Sequence, residues 1–158
     1  MNRCRRQLVQ VALLWGAACG AAHAGELRGW PVRLDGNIST SNPAVGDVDG
    51  DGRLEIVIGA GLALHVVSYS GAPIKPFPLA MTPPRKDREK DALGGAKSDY
   101  PASPTLCELN GAPGLEIAIL SLEGQLHVYD GLGKQLPGFP VEGGGVWASA
   151  PACADLDG

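Results

Sequence analysis

Positive charge is what this 158-residue chain lacks most plainly: 13 Lys and Arg stand against 17 Asp and Glu. A long apolar run is missing as well. The longest, LVQVALLWGAA at residues 8–18, falls short of the ~20 residues that a membrane-spanning helix needs. Arg3, Arg5 and Arg6 precede it, and Ala22, His23 and Ala24 supply small residues after it. Residues 1–24 therefore read as a secretory signal peptide. Cys19 offers a lipid-attachment alternative, but Gly16 stands where such a site wants Leu. Without the leader, 10 basic groups remain against 17 acidic ones, a net charge of −7. That balance argues against nucleic acid as a partner, since phosphate binding needs a basic face. Cysteine is scarce too, since Cys4 and Cys19 leave with the leader and only Cys107 and Cys153 stay. Export would permit a disulfide. The two lie in equivalent strands but one position out of step, and adjacent strand positions face opposite ways, so the spacing predicts no bridge. Nucleophile motifs and phosphate loops are also missing; Gly143–Gly145 reads as a turn.

What is present begins with DVDGDGRLE, residues 47–55. Asp47, Asp49 and Asp51 alternate, Gly52 follows, and Glu55 closes the stretch. Four carboxylates that close repel one another unless a cation sits among them, and hard divalent ions take such oxygens in a flexible shell. Gly52 at the sixth position allows the sharp turn. An EF-hand would need Glu at the twelfth position, which is Ile58, and flanking helices. The residues thus indicate a Ca²⁺ loop of another kind, the alternative being a solvated acidic turn.

The motif recurs. SNPAVGDVDGDGRLEIVIG is echoed by ASPTLCELNGAPGLEIAIL, which aligns Pro43 with Pro104, Asp49 with Asn110 and Glu55 with Glu116. The second copy has Ala112 and Pro113 in place of the third carboxylate and the glycine, so it reads as a turn held without metal, or a weak site. A third copy, SAPACADLDG, begins near residue 149 and keeps Asp155 and Asp157, a partial third site. LHVVSYSGAPIKPFPL and LHVYDGLGKQLPGFPV also match, and GWPV at residues 29–32 matches GFPV at 138–141. Trp30 to Phe77 and Pro104 to Pro151 both span 47 residues. A fixed period of this size signals a repeat architecture.

Sustained helical periodicity is absent outside the charged insertion at residues 81–100, whereas β-rich runs alternate with Gly, Asn and Asp clusters. Four short strands per repeat is the economy of a β-propeller blade, which makes the fold class all-β. The first blade, residues 42–79, is expected to place strands near 43–47, 54–58 and 62–68, with a fourth ending at Phe77. The second, residues 103–141, is expected at 104–109, 115–120, 125–129 and 136–141. Closed propellers take typically 4–8 blades. The chain is therefore expected to be a fragment of a longer ring, with GWPV supplying the outer strand of the last blade.

Pro43, the DVDGDG loop, EIVIG and the later Phe-Pro pair resemble FG-GAP or VCBS repeats, the propeller repeats of integrin α-subunits and many exported bacterial proteins. The resemblance implies that the acidic loop joins the first two strands of a blade and holds Ca²⁺. Asp47, Asp49, Asp51 and Glu55 would then be side-chain ligands, with the Arg53 carbonyl completing the set. It implies fold more specifically than function, because propellers host unrelated activities.

Other candidates have plain readings. His65 and His127 occupy equivalent positions and read as packing histidines rather than catalytic ones. Trp30, Phe77 and Phe139 read as packing aromatics. Arg85, Lys86, Arg88 and Lys90 in the insertion could form a recognition loop, but mixed charges favour a solvated one. The functional expectation is a non-catalytic, calcium-stabilised module, secreted, periplasmic or at the cell surface, that binds protein or glycan in adhesion. The alternatives are an ancillary domain of a secreted lyase or phospholipase, and a truncated chain without independent function.

Overall fold

The computed structural model describes residues 27–38, 41–80, 102–121, 124–143 and 149–154. The leader, the insertion, Asp155 and Asp157 lie outside the described residues. Among the described residues all regular structure is β, in two four-stranded antiparallel sheets. The first sheet runs in sequence order through β1 (Ala44–Gly46), β2 (Glu55–Ala60), β3 (Ala63–Val67) and β4 (Leu79–Ala80). The second repeats it with β5 (Thr105–Cys107), β6 (Glu116–Leu120), β7 (Gln125–Tyr129) and β8 (Val141–Glu142). These are two propeller-type blades.

β2 and β3 are nearly all apolar, as strands covered on both faces must be. Register assigns the faces. Ala44, Val57 and Val66 stand side by side, as do Gly59, Leu64 and Leu79. That face packs against Ile117 and Ile119 of the second blade, and with Val48 and Phe77 the two form the main core. The opposite face of the second blade carries Cys107, Ala118 and Val128, with Leu126, Leu136 and Phe139 against them. One face of each blade therefore meets the other face of the next.

This stacking overturns the expectation about the cysteines. Cys107 and Cys153 are bonded, with Cα atoms 6.0 Å apart. Cys107 is equivalent to Gly46, and Cys153 to Leu106. A Cβ built at Gly46 would lie 2.6 Å from Leu106 Cδ1, so the same pair of positions already meets between the first two blades. The one-position offset that argues against a bridge within a sheet is what brings two positions together between successive blades. Thr105 Oγ1 donates to the Pro151 carbonyl at 2.6 Å and seats the third copy alongside.

The fourth strands begin later than the sequence suggests. Phe77 is not in β4 but in the turn before it, its N–H donating to the Ile74 carbonyl, and Phe139 repeats this with Leu136. Pro76, Pro78, Pro137 and Pro140 have no N–H to give a ladder, so pairing waits until they are passed. Residues 29–32 form no strand, yet they sit against the first blade as residues 76–79 sit against the second. A Cβ at Gly71 would lie 2.8 Å from Val32 Cγ2, and one at the equivalent Gly133 would lie 3.3 Å from Leu79 Cδ1. Trp30 Nε1 donates to the Tyr69 carbonyl at 2.9 Å.

His65 and His127 are buried in the strand faces that look toward the preceding repeat, and the Nε2 atom of each has no hydrogen-bond partner. His127 Nδ1 lies 3.0 Å from Gln135 Nε2 and 3.3 Å from the Tyr129 hydroxyl. Burial pushes both imidazoles below their ordinary range. For His65 the carbonyls of Ala60 and Asp35 and the Asp35 charge pull the other way; for His127 the Glu142 charge does. Neutral histidine is thus favoured in the folded state.

Two outcomes are expected. Ile119→Ala should lower unfolding free energy by about 2–5 kcal/mol, whereas Leu132→Ala, at 75% exposure, should stay within about 0.5 kcal/mol in urea titrations. The histidine contribution should be fully present above the unfolded value of about 6.5 and be lost as pH falls through the depressed folded values. The urea midpoint of wild type should therefore drop between pH 7.5 and 5 by more than that of a His65→Gln/His127→Gln double variant.

Candidate metal-binding loop

The acidic loop links β1 to β2, and the backbone wraps around its own carboxylates. Asp47 accepts from Gly50 N on Oδ1 at 2.7 Å and from Gly52 N on Oδ2 at 2.9 Å. Asp49 Oδ1 accepts from Asp51 N at 3.2 Å, and Asp51 Oδ1 from Arg53 N at 2.8 Å. Each aspartate thus closes a turn on the chain just ahead of it. Gly50 and Gly52 have positive φ, of 76° and 84°, which makes the tight winding possible.

Glu55 starts β2 and points back under the loop. It is 2% exposed, and its Oε2 accepts from Val48 N at 3.0 Å. Oxygens of Asp47, Asp49 and Glu55 all lie within 4.8 Å of one another. Asp51 is outside that group, and the Arg53 guanidinium is turned to the Tyr69 ring, 5.6 Å from its centroid, rather than to the carboxylates. Glu55 has its pKa pushed up, first by burial and then by the charges of Asp49, Asp51 and Asp47, with the Val48 N–H opposing. Of the sequence-predicted ligands, the fold brings Asp47, Asp49 and Glu55 together and leaves Asp51 outside that group.

The second loop shows what happens without that charge. Glu116 is equally buried and its Oε2 accepts from Leu109 N at 2.8 Å, the counterpart of the Glu55–Val48 bond. Its Oε1 accepts from Asn110 Nδ2 at 2.6 Å. Glu108 Oε1 accepts from Gly111 N and Asn110 Oδ1 from Ala112 N, so the turn is otherwise preserved. The amide of Asn110 supplies the positive end that Asp49, with no proton to give, cannot. The backbone-holding role of Glu55 and Glu116 goes beyond what the ligand pattern alone suggests. One signal for it was available: the acid persists in the copy that has Asn110 and Ala112 in place of Asp49 and Asp51.

The comparisons follow this geometry. Residues 39–72, which hold β1, the acidic loop, β2 and β3, match the model of the FG-GAP repeat family. The chain carries an FG-GAP repeat. No curated protein matches the chain. The second blade is the structural copy of the FG-GAP repeat, with the same strand order, the same buried glutamate and a different closure of its loop. Among the described residues no helix is long and apolar enough to cross a membrane.

Asn110→Asp should remove the amide donor and set a second carboxylate against Glu116. In the absence of divalent ions it should cost about 1–3 kcal/mol of stability by urea titration, because a buried acceptor is left unpaired.

Proposed function

We propose that the chain is an exported, calcium-binding β-propeller repeat module without catalytic activity, which presents a protein- or glycan-binding surface. The observation that carries the metal reading is the convergence of Asp47, Asp49 and Glu55 oxygens within 4.8 Å, with the nearby Arg53 guanidinium turned to the Tyr69 ring instead. The donor set is all oxygen and carries up to three negative charges, which suits a hard ion of the Ca²⁺ type over softer metals. Asp47, Asp49 and Glu55 would hold the ion, with Asp51 and the Arg53 carbonyl as the further contributors the family resemblance implies. Bound there, the ion supplies charge neutralisation and stiffens the loop. Its role is structural: among the described residues no nucleophile or water-activating base accompanies the carboxylates.

Export is supported by the leader-like first 24 residues and by the Cys107–Cys153 bond, which persists in oxidising compartments. A binding rather than catalytic role is supported by the buried, packing positions of His65 and His127.

Extracellular calcium modules bind at about 10⁻⁴–10⁻³ M, and an ion that binds only the folded state stabilises it by mass action. The melting temperature of the chain should therefore rise in millimolar Ca²⁺ and fall back with chelator. Asp49→Ala should abolish most of that response, whereas Asn110→Ala in the second loop should leave it largely intact. Absence of wild-type heat in a calcium titration, or equal loss from both variants, would overturn the assignment.

A further inference from the structure

The acidic loop does not stand alone; its outer backbone is seated on the second blade. Leu115 N donates to the Asp47 carbonyl at 2.9 Å, across the junction between blades. Pro113 packs on Gly50, where a Cβ would lie 2.8 Å from Pro113 Cβ. Two glycines of the second blade, Gly114 and Gly131, lie directly against the Val48 carbonyl. A Cβ at either would run into that oxygen, and one at Gly131 would also lie 3.0 Å from Asp49 Cα. Val48 is itself fixed from within, its side chain buried in the core and its N–H on Glu55. The segment from Asp47 to Gly50 is thus clamped between its own buried glutamate and contacts from four residues of the neighbouring blade.

From this geometry we infer that the metal site is a two-blade device. Gly114 and Gly131 are positioning residues that set the Val48–Asp49 backbone and so aim the Asp49 carboxylate, although neither contributes a ligand atom. The inference rests on the calcium reading above and adds a consequence to it. If the second blade fixes the loop, ion binding and blade docking are linked, and the linkage is reciprocal. An ion that stiffens the first loop also tightens the Leu115–Asp47 hydrogen bond in the junction. The decay of the second loop is consistent with this division of labour. Pro113 and Gly114 stand where the first loop has Gly52 and Arg53, and both now touch the first loop.

Gly131 is the cleaner probe, because its φ is outside the left-handed region and Ala changes only the space it occupies. In the full chain, Gly131→Ala should weaken Ca²⁺ binding about 5- to 150-fold by titration calorimetry, the range of an ordinary coupling between sites. Leu132→Ala, in the same turn but 75% exposed, should bind as wild type does. Amide hydrogen exchange on wild type provides a second reading that does not depend on a variant folding. Ca²⁺ should slow exchange at Leu115 N–H relative to Ile74 N–H, which is bonded to the Val66 carbonyl within the first blade. Unchanged affinity in Gly131→Ala, or no change at Leu115 on adding Ca²⁺ that demonstrably binds, would overturn the coupling and leave the metal reading standing. Failure of wild type to bind Ca²⁺ at all would overturn the metal reading and this inference with it.

Discussion

Stacking of one blade face on the opposite face of the next is the constraint on which everything else in this structure depends. Val57, Leu64 and Val66 have no water-compatible alternative, and they are covered only because Ile117 and Ile119 arrive from the following repeat. Burying a branched aliphatic side chain contributes about 1.5–3 kcal/mol, so the five together far outweigh the few hydrogen bonds that cross the junction. A four-stranded sheet on its own would leave both of its apolar faces in water. Phe77 and Phe139 show the difference within one molecule. Phe77 is buried to 4% exposure between two blades, while its counterpart Phe139, beyond the second blade, is only partly covered.

The same constraint explains the placement of polar groups. Glu55 and Glu116 are buried because the first residue of each second strand falls on the face that meets the next repeat. Burial alone disfavours a carboxylate, so each must hold backbone N–H groups and find a positive partner. One finds an amide inside its own loop. The other faces three aspartates, and burial combined with their charge raises its pKa.

Much of this was legible along the chain. The spacing from Pro43 to Pro104, the alternating aspartates and the β-rich runs indicated the blades, and six of the eight strands lie where those runs suggest. Proline placement also contained the late start of β4 and β8, because a residue without an N–H cannot open a ladder there. What was hidden lies between repeats rather than along them. The Cys107–Cys153 bond follows from Gly46 touching Leu106, a contact no strand-parity argument within one sheet can supply. Gly131 looks like any turn glycine until the Val48 carbonyl is found above it.

The closure of the second loop has a consequence for chemical ageing. Asn110 is followed by Gly111, the pairing in which an asparagine side chain most readily cyclises onto the next backbone nitrogen and loses ammonia. That nitrogen would have to approach the Asn110 side-chain carbonyl, and the amide would have to leave. In the folded loop Gly111 N is bonded to Glu108 and the Asn110 amide to Glu116, while Asn110 Oδ1 is held by Ala112 N. All three participating groups are tethered away from the ring-closing geometry, so the contacts that complete the turn also protect its asparagine for as long as the blade stays folded.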